Sequence, residues 1–292
     1  MKVLVTGGRG AIGSRMMDRL RTLGHEPISY DIVDGQDLHD IEKLEAAIKS
    51  VDAVYHVAAT ANLNHMRTLE GAQNGILQNV NATHNVAHLC AKHGKWILFI
   101  STMCVYGDVE VHPISEDITL PNPSEIYAAS KYAAEWIIRG YGINFDLAYT
   151  ILRIATVYGP SCRPELGVHV FLNQARAGEP ITVHGEGTQE RTLTYVDDVV
   201  EGVLAPLQHP EAAKGQIFNI STTERTSAIQ MAHQIKELTG SSSEIVHVAQ
   251  RAFNTIREDV DVSKAKQLLG WEAATSFADG LKKTNEWMNS QS

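Results

Sequence analysis

The chain has 292 residues and 43% hydrophobic content, enough for one large or two modest domains around a substantial core, which excludes a disordered chain. A formal net charge of -9 with no basic run longer than two residues excludes nucleic acid as an expected partner. No apolar stretch of about 18 residues appears and a strand pattern begins at Lys2, so neither a membrane span nor a cleavable leader is expected and the chain reads as cytoplasmic.

In chain order, short β-branched runs alternate with longer helical stretches. Strands are predicted at 2–5, 27–30, 53–56, 96–100 and 148–152, and helices at 12–23, 41–49, 75–92 and 125–141. Crossovers of this length suit a parallel sheet covered on both faces, so the predicted fold is α/β, a doubly wound Rossmann sheet. After Tyr158-Gly159-Pro160 the rhythm becomes irregular, with helices predicted at 168–177, 227–239 and 279–289. A nucleotide-binding domain over 1–160 and a smaller substrate-binding lobe over 161–292 are expected, interleaved because a helix at 195–207 and a strand at 217–220 read as returning to the sheet. The segment 191–220 is therefore assigned in part to the first domain.

Thr6-Gly7-Gly8-Arg9-Gly10-Ala11-Ile12-Gly13 follows the first strand and opens the first helix, so backbone amides and the positive helix end can meet a pyrophosphate. Asp31 closes the second strand, 18 residues beyond Gly13, where a carboxylate accepts from adenine-ribose hydroxyls and repels a 2'-phosphate; NAD is expected over NADP. Asp34 and Asp37 compete for that role.

Among nine tyrosines, only Tyr127 has a lysine four residues later, Lys131, on the same helical face. An ammonium beside a phenol lowers its pKa and makes a general base for oxidising a carbinol. The strand ending at Ser101-Thr102 places a hydroxyl at the carboxyl edge of the sheet, where Thr102 can hydrogen-bond the reacting oxygen. Cys104 is expected to pack as a small apolar residue, and Cys90, Cys104 and Cys162 show no disulfide or zinc spacing. His84 and His88 have helical spacing without the remaining ligands of a metal site, so no metal is expected.

The ordered set TGGRGAIG, DLHD at 37–40, HVAA at 56–59, Asn81, STMCVYG at 101–107, YAASK at 127–131, LRIATVYGP at 152–160, GEGTQERTLTYVDD at 185–198 and SKAKQLLGW at 263–271 resembles the extended short-chain dehydrogenase/reductases, in particular the NAD-dependent epimerase/dehydratase branch acting on nucleotide sugars. The resemblance implies that Gly7, Gly10, Ala11, Ile12, Gly13, Asp31, Ala59 and Asn81 hold NAD, that Asp37 and Leu38 flank its adenine, and that Ala58, Tyr127 and Lys131 adjoin its nicotinamide ribose. It implies Thr102, Tyr127 and Lys131 as catalytic, and Thr102, Thr156, Val168, Arg191 and Arg257 as substrate-binding, with Arg251 an alternative to Arg257. Met103 and Cys104 stand where similar dehydratases carry Asp-Glu, which favours a nucleotide-sugar 4-epimerase, with a UDP-sugar as substrate, over a dehydratase or decarboxylase. A net dehydrogenase or reductase is the other enzymatic alternative, and a catalytically silent dinucleotide sensor the alternative of another class. The family commonly forms dimers through a helix pair, so a homodimer is expected.

Overall fold

Six strands, all parallel, build the frame of the molecule in the order Gln216–Ile220, β5 (Tyr149–Ile154), β4 (Trp96–Thr102), β3 (Ala53–His56), β1 (Lys2–Thr6) and β2 (Glu26–Tyr30). The computed structural model describes residues 1–107, 109, 111–118, 125–250 and 259–291. Alternation along each strand divides the core in two. Val3, Val5, Tyr55, Leu98 and Ile100 face one side with Met16, Met17 and Leu20 of the Ala11–Thr22 helix, here α1. Leu4, Val54, Ile97 and Phe99 face the other, against Leu44, Ile48 and the helices Ala82–Lys92 and Ile126–Phe145. Every position of β4 is buried, as a central strand covered on both faces requires.

The predicted doubly wound sheet is what forms, and the strand read at 217–220 pairs with β5, with Ile217 opposite Ile151. The predicted 195–207 helix stops earlier, at Leu204, because Pro206 lacks an amide to continue it and the chain tightens into a 3-10 turn over Ala205–Gln208. The predicted 75–92 helix is longer and interrupted: Leu69–Ile76 leads into a π-helical turn at Leu77–Asn81 before Ala82–Lys92. The predicted 125–141 helix runs on to Phe145 and ends where Asp146 takes a left-handed conformation.

A separate core holds Tyr158, Val168, Phe171, Leu172, Ile181, Tyr195, Met231, Ile235, Phe277 and Leu281. Its helices are Gly167–Ala177, Ala228–Thr239 and Phe277–Ser290; Ser227 starts the second with a reciprocal capping box to Gln230. Three short strand pairs here escaped the sequence reading: Thr156–Tyr158 with Leu193–Tyr195, Ile181–His184 with Ile245–Val248, and Glu190–Arg191 with Thr226–Ser227. Runs of two to four residues carry too little alternation to signal a strand. Among the described residues no helix is long and apolar enough to cross a membrane.

Candidate active site

At β1 the strand order reverses, with β2 added on one side and β3 on the other, and the chain ends of β1 to β5 there open a cleft of about 730 Å³. The glycine turn forms its floor. Gly7 has φ +72° and donates its amide to Tyr30 O at 2.9 Å, and a Cβ on it would lie 2.9 Å from Ala58 Cα. A Cβ on Gly13 would lie 2.1 Å from Gly7 O, so helix and turn are in backbone contact and the turn has room for a ligand's phosphates only as glycine. The first turn of α1 carries no acidic residue, which leaves its positive end to an anion.

Asp31, at the end of β2, is buried against this turn and accepts from Arg9 N at 2.9 Å and Val33 N at 3.0 Å. Asp34 is turned outward in a bidentate pair with the Arg9 guanidinium, Nε at 2.9 Å and Nη2 at 2.8 Å, so of the competing aspartates it is the one engaged elsewhere. Asp31, Asp37, Leu38, Gly7, Gly10, Ala11, Ile12, Gly13, Ala58, Ala59, Tyr127 and Lys131 all line the cleft, whereas Thr102 is buried just behind its lining. The cradle therefore suits a dinucleotide with its adenosine over Asp31 and its second ribose toward Lys131.

Asn81 does not belong there. It is exposed and outside the cleft lining; Asn79, 1% exposed and also outside that lining, is buried instead. The π turn widens the helix between Leu77 and Asn81 and so changes which residue faces the sheet. Asn79 Oδ1 accepts from Thr60 N at 2.8 Å, and its Nδ2 donates to Thr60 O and to Ser130 Oγ, each at 3.0 Å; Ser130 Oγ donates to Tyr127 O at 2.8 Å. One amide thus ties the loop after β3 to the turn carrying Tyr127.

A second chain of bonds fixes β1 to β3. Thr83 Oγ1 donates to Asn79 O at 2.7 Å, so it accepts from His56 Nε2 at 2.9 Å, and the unprotonated Nδ1 accepts from Thr6 Oγ1 at 2.8 Å. Thr6 Oγ1 in turn accepts from Val57 N and Ala58 N at 3.2 Å. Burial, with the Lys131 charge adding to it, pushes His56 down to about 3, so it is a neutral structural bridge and not a proton carrier at neutral pH.

Thr102 and Tyr127 come together. The Thr102 hydroxyl, at the end of β4, neighbours the Tyr127 phenol on the first turn of the Ile126–Phe145 helix closely enough to favour its phenolate. The expected depression of the Tyr127 pKa by Lys131 is not found. Burial pushes the phenol up, Cys104 adds to that, and the opposing influences are Arg163 and the Thr102 hydroxyl. The Lys131 nitrogen instead lies 4.0 Å from the centre of the Phe99 ring, and burial, opposed by Glu135, lowers it to about 7.

Arg163 was not anticipated. It follows the Tyr158-Gly159-Pro160 turn, lines the cleft beside Tyr127 and donates to Ala61 O. The only sequence sign of it is a basic residue shortly after a turn that itself follows a sheet strand. Cys104 is likewise exposed and not packed, because the 3-10 turn Met103–Tyr106 directs Met103 and Val105 inward and leaves position 104 outside. Val168, expected at the substrate, has its side chain buried among Phe171 and Leu172 in the second core and is not among the cleft-lining residues. Thr156 is half-buried just beyond β5, two positions after Ile154, the register partner of Thr102. Arg191 lies in the short strand pair of the second lobe, donating from Nη1 to Glu190 O at 2.8 Å, and is not among the cleft-lining residues. Arg257 and Arg251 fall outside the described residues.

Comparison with known proteins gives this geometry a context. The model of the NAD dependent epimerase/dehydratase family matches residues 3–221. The chain is 30% identical to an uncharacterized UDP-glucose epimerase of Bacillus subtilis, over 98% of this chain and 96% of that one. It is 31% identical to UDP-glucuronic acid decarboxylase 1 of Xenopus tropicalis, over 97% of this chain and 71% of that protein. Among solved structures it resembles the UDP-glucuronic acid 4-epimerase from Bacillus cereus in complex with UDP-glucuronic acid and NAD, with a TM-score of 0.91, 27% identity and complete coverage of both chains.

Proposed function

Since the chain belongs to the NAD dependent epimerase/dehydratase family, we propose that it is a UDP-sugar 4-epimerase that acts through transient oxidation at C4 with NAD retained. One observation carries this reading: Tyr127, with Thr102 beside it, and Lys131 share the cleft with the glycine turn, and the carboxylates among the described cleft-lining residues are Asp31 and Asp37, at the end of β2 and in the loop after it. Elimination of water from the sugar calls for a further acid near the reacting carbons, and here Met103 is buried and Cys104 is a thiol.

When bound, NAD supplies the acceptor and later the donor of a hydride. The residues of this chain do the rest. Thr102 orients the C4 hydroxyl, Tyr127 takes its proton as the ketone forms, and the same phenol returns a proton when the opposite face of the ketone is presented. The positive charge of Arg163 and the neighbouring Thr102 hydroxyl favour the phenolate that this exchange requires. The glycine turn and Asp31 hold the dinucleotide through both halves, and a homodimer through the Ile126–Phe145 helix, where Trp136, Ile143 and Phe145 are exposed, belongs to the same reading.

A second reading is favoured by Arg163, an exposed guanidinium at the sugar end that suits a sugar acid, so that oxidation at C4 of a glucuronate would permit loss of carbon dioxide. The two are separated by incubating the purified holoenzyme, without added cofactor, with UDP-glucose, UDP-galactose and UDP-glucuronic acid. The expected result by NMR is a 4-epimer with no accumulation of NADH. A UDP-pentose with release of carbon dioxide, or a 4-keto-6-deoxy sugar, would replace the epimerase reading.

A further inference from the structure

Behind the catalytic helix lies a buried ionic cluster that the chemistry above does not use. Glu135 is 0% exposed and Arg153, from β5, 3%. Arg153 holds the carboxylate bidentately, Nε to Oε1 at 3.0 Å and Nη2 to Oε2 at 2.7 Å, and its Nη1 donates to Tyr106 Oη at 2.8 Å. Tyr106 passes the chain to Asn219 Oδ1 at 2.8 Å, and burial pushes its phenol up to about 12. The fifth member is Ser101, whose hydroxyl donates to Glu135 Oε1 at 2.5 Å.

Glu135 neighbours both halves of the catalytic machinery without bonding to either. It sits one helical turn beyond Lys131, and its Ser101 partner is the residue before Thr102. Among the described residues, those packed around Lys131 offer no other anion to do this. β3 presents His56, which is neutral; β4 presents the Phe99 ring and the hydroxyls of Ser101 and Thr102; its own helix presents Tyr127 and Glu135. β5 presents Arg153, whose guanidinium bonds are made to Glu135 and Tyr106.

We propose that Glu135 is a positioning residue for cofactor binding: it favours the ammonium form of Lys131 and pins, through Ser101, the strand end bearing Thr102, while the bidentate Arg153 fixes the place of the Glu135 carboxylate. The inference rests on the reading of Lys131 as the partner of the nicotinamide ribose. Burial alone drives a lysine toward the neutral amine, and the Glu135 field is the influence that opposes it, leaving Lys131 near 7. Below that pH the side chain is charged and offers charge-assisted donors to ribose hydroxyls; above it, it offers those of an amine. Loss of Glu135 moves this transition to lower pH.

The test is NAD affinity by titration calorimetry as a function of pH, in the absence of any sugar. Glu135→Gln leaves Arg153 buried without its counter-charge, so the first variant is the double Glu135→Gln/Arg153→Gln. It is expected to bind NAD within about twofold of wild type at pH 5 and about tenfold more weakly at pH 7.5, and Glu135→Asp is expected to restore the wild-type dependence. If the double variant does not fold, Glu135→Gln alone must show the same displacement. A loss of equal size at both pH values, or no loss, overturns the proposal, since a purely structural contact would weaken binding without moving its pH dependence. Because the readout involves no sugar, its failure leaves the epimerase reading standing, and an error in that reading leaves this result unaffected.

Discussion

Tyr127→Phe is expected to lower turnover by about 10²–10⁴-fold while leaving the fold and NAD binding in place, because it removes one oxygen and the proton-transfer group with it. The ring keeps its place on the first turn of the Ile126–Phe145 helix, and the turn itself stays tied to Asn79 through Ser130 and the Tyr127 carbonyl, neither of which involves the phenol. Single-turnover measurement of the epimer, alongside NAD affinity, checks this. A variant with unaltered NAD affinity and near-wild-type turnover would remove the tyrosine from the chemistry.

Gly13→Ala is the second large effect. The added Cβ would sit 2.1 Å from Gly7 O and 2.9 Å from Gly8 Cα, both backbone atoms of the same turn, so no side chain can move aside to relieve the contact. Either α1 or the turn must shift, and the expected outcome is destabilisation by about 2–4 kcal/mol together with a loss of NAD affinity of at least about tenfold. Thermal unfolding with and without NAD measures both, and the upward shift of Tm that NAD gives the wild type should shrink or vanish. Gly24→Ala is the contrasting control: its φ of +79° makes the change strained, but nothing lies within 4 Å of the new Cβ and the position is remote from the cleft, so the NAD-dependent shift should persist.

The parts of the site that rest on the sheet were readable in advance. Alternation fixes which face of β1 to β5 is buried, and once the strands are placed their ends must gather the glycine turn, Asp31, Ala58 and the Ser101-Thr102 strand end at one edge. The parts that rest on local departures from regular geometry were not. Asn79 is buried and Asn81 exposed because a π turn shifts the helix face, and a helical repeat cannot anticipate one. Cys104 turns outward because a 3-10 turn, not a continued strand, follows Thr102. Arg163 reaches the cleft along an irregular segment after a sheet strand, and Val168 is buried by a second core whose short strand pairs leave little periodicity to read. The raised pKa of Tyr127 was unreadable for another reason: the four-residue spacing of tyrosine and lysine reveals a shared face, but burial and the position of the Phe99 ring decide which group the ammonium meets.

Retention of the hydride is the central matter, and isotope tracing addresses it most directly. A UDP-sugar carrying deuterium at C4, given to the purified protein in ordinary water, should yield an epimer that keeps its deuterium at C4 and acquires none of the solvent's hydrogen there. Washout of the label, or its appearance in NADH released to solution, would contradict the account.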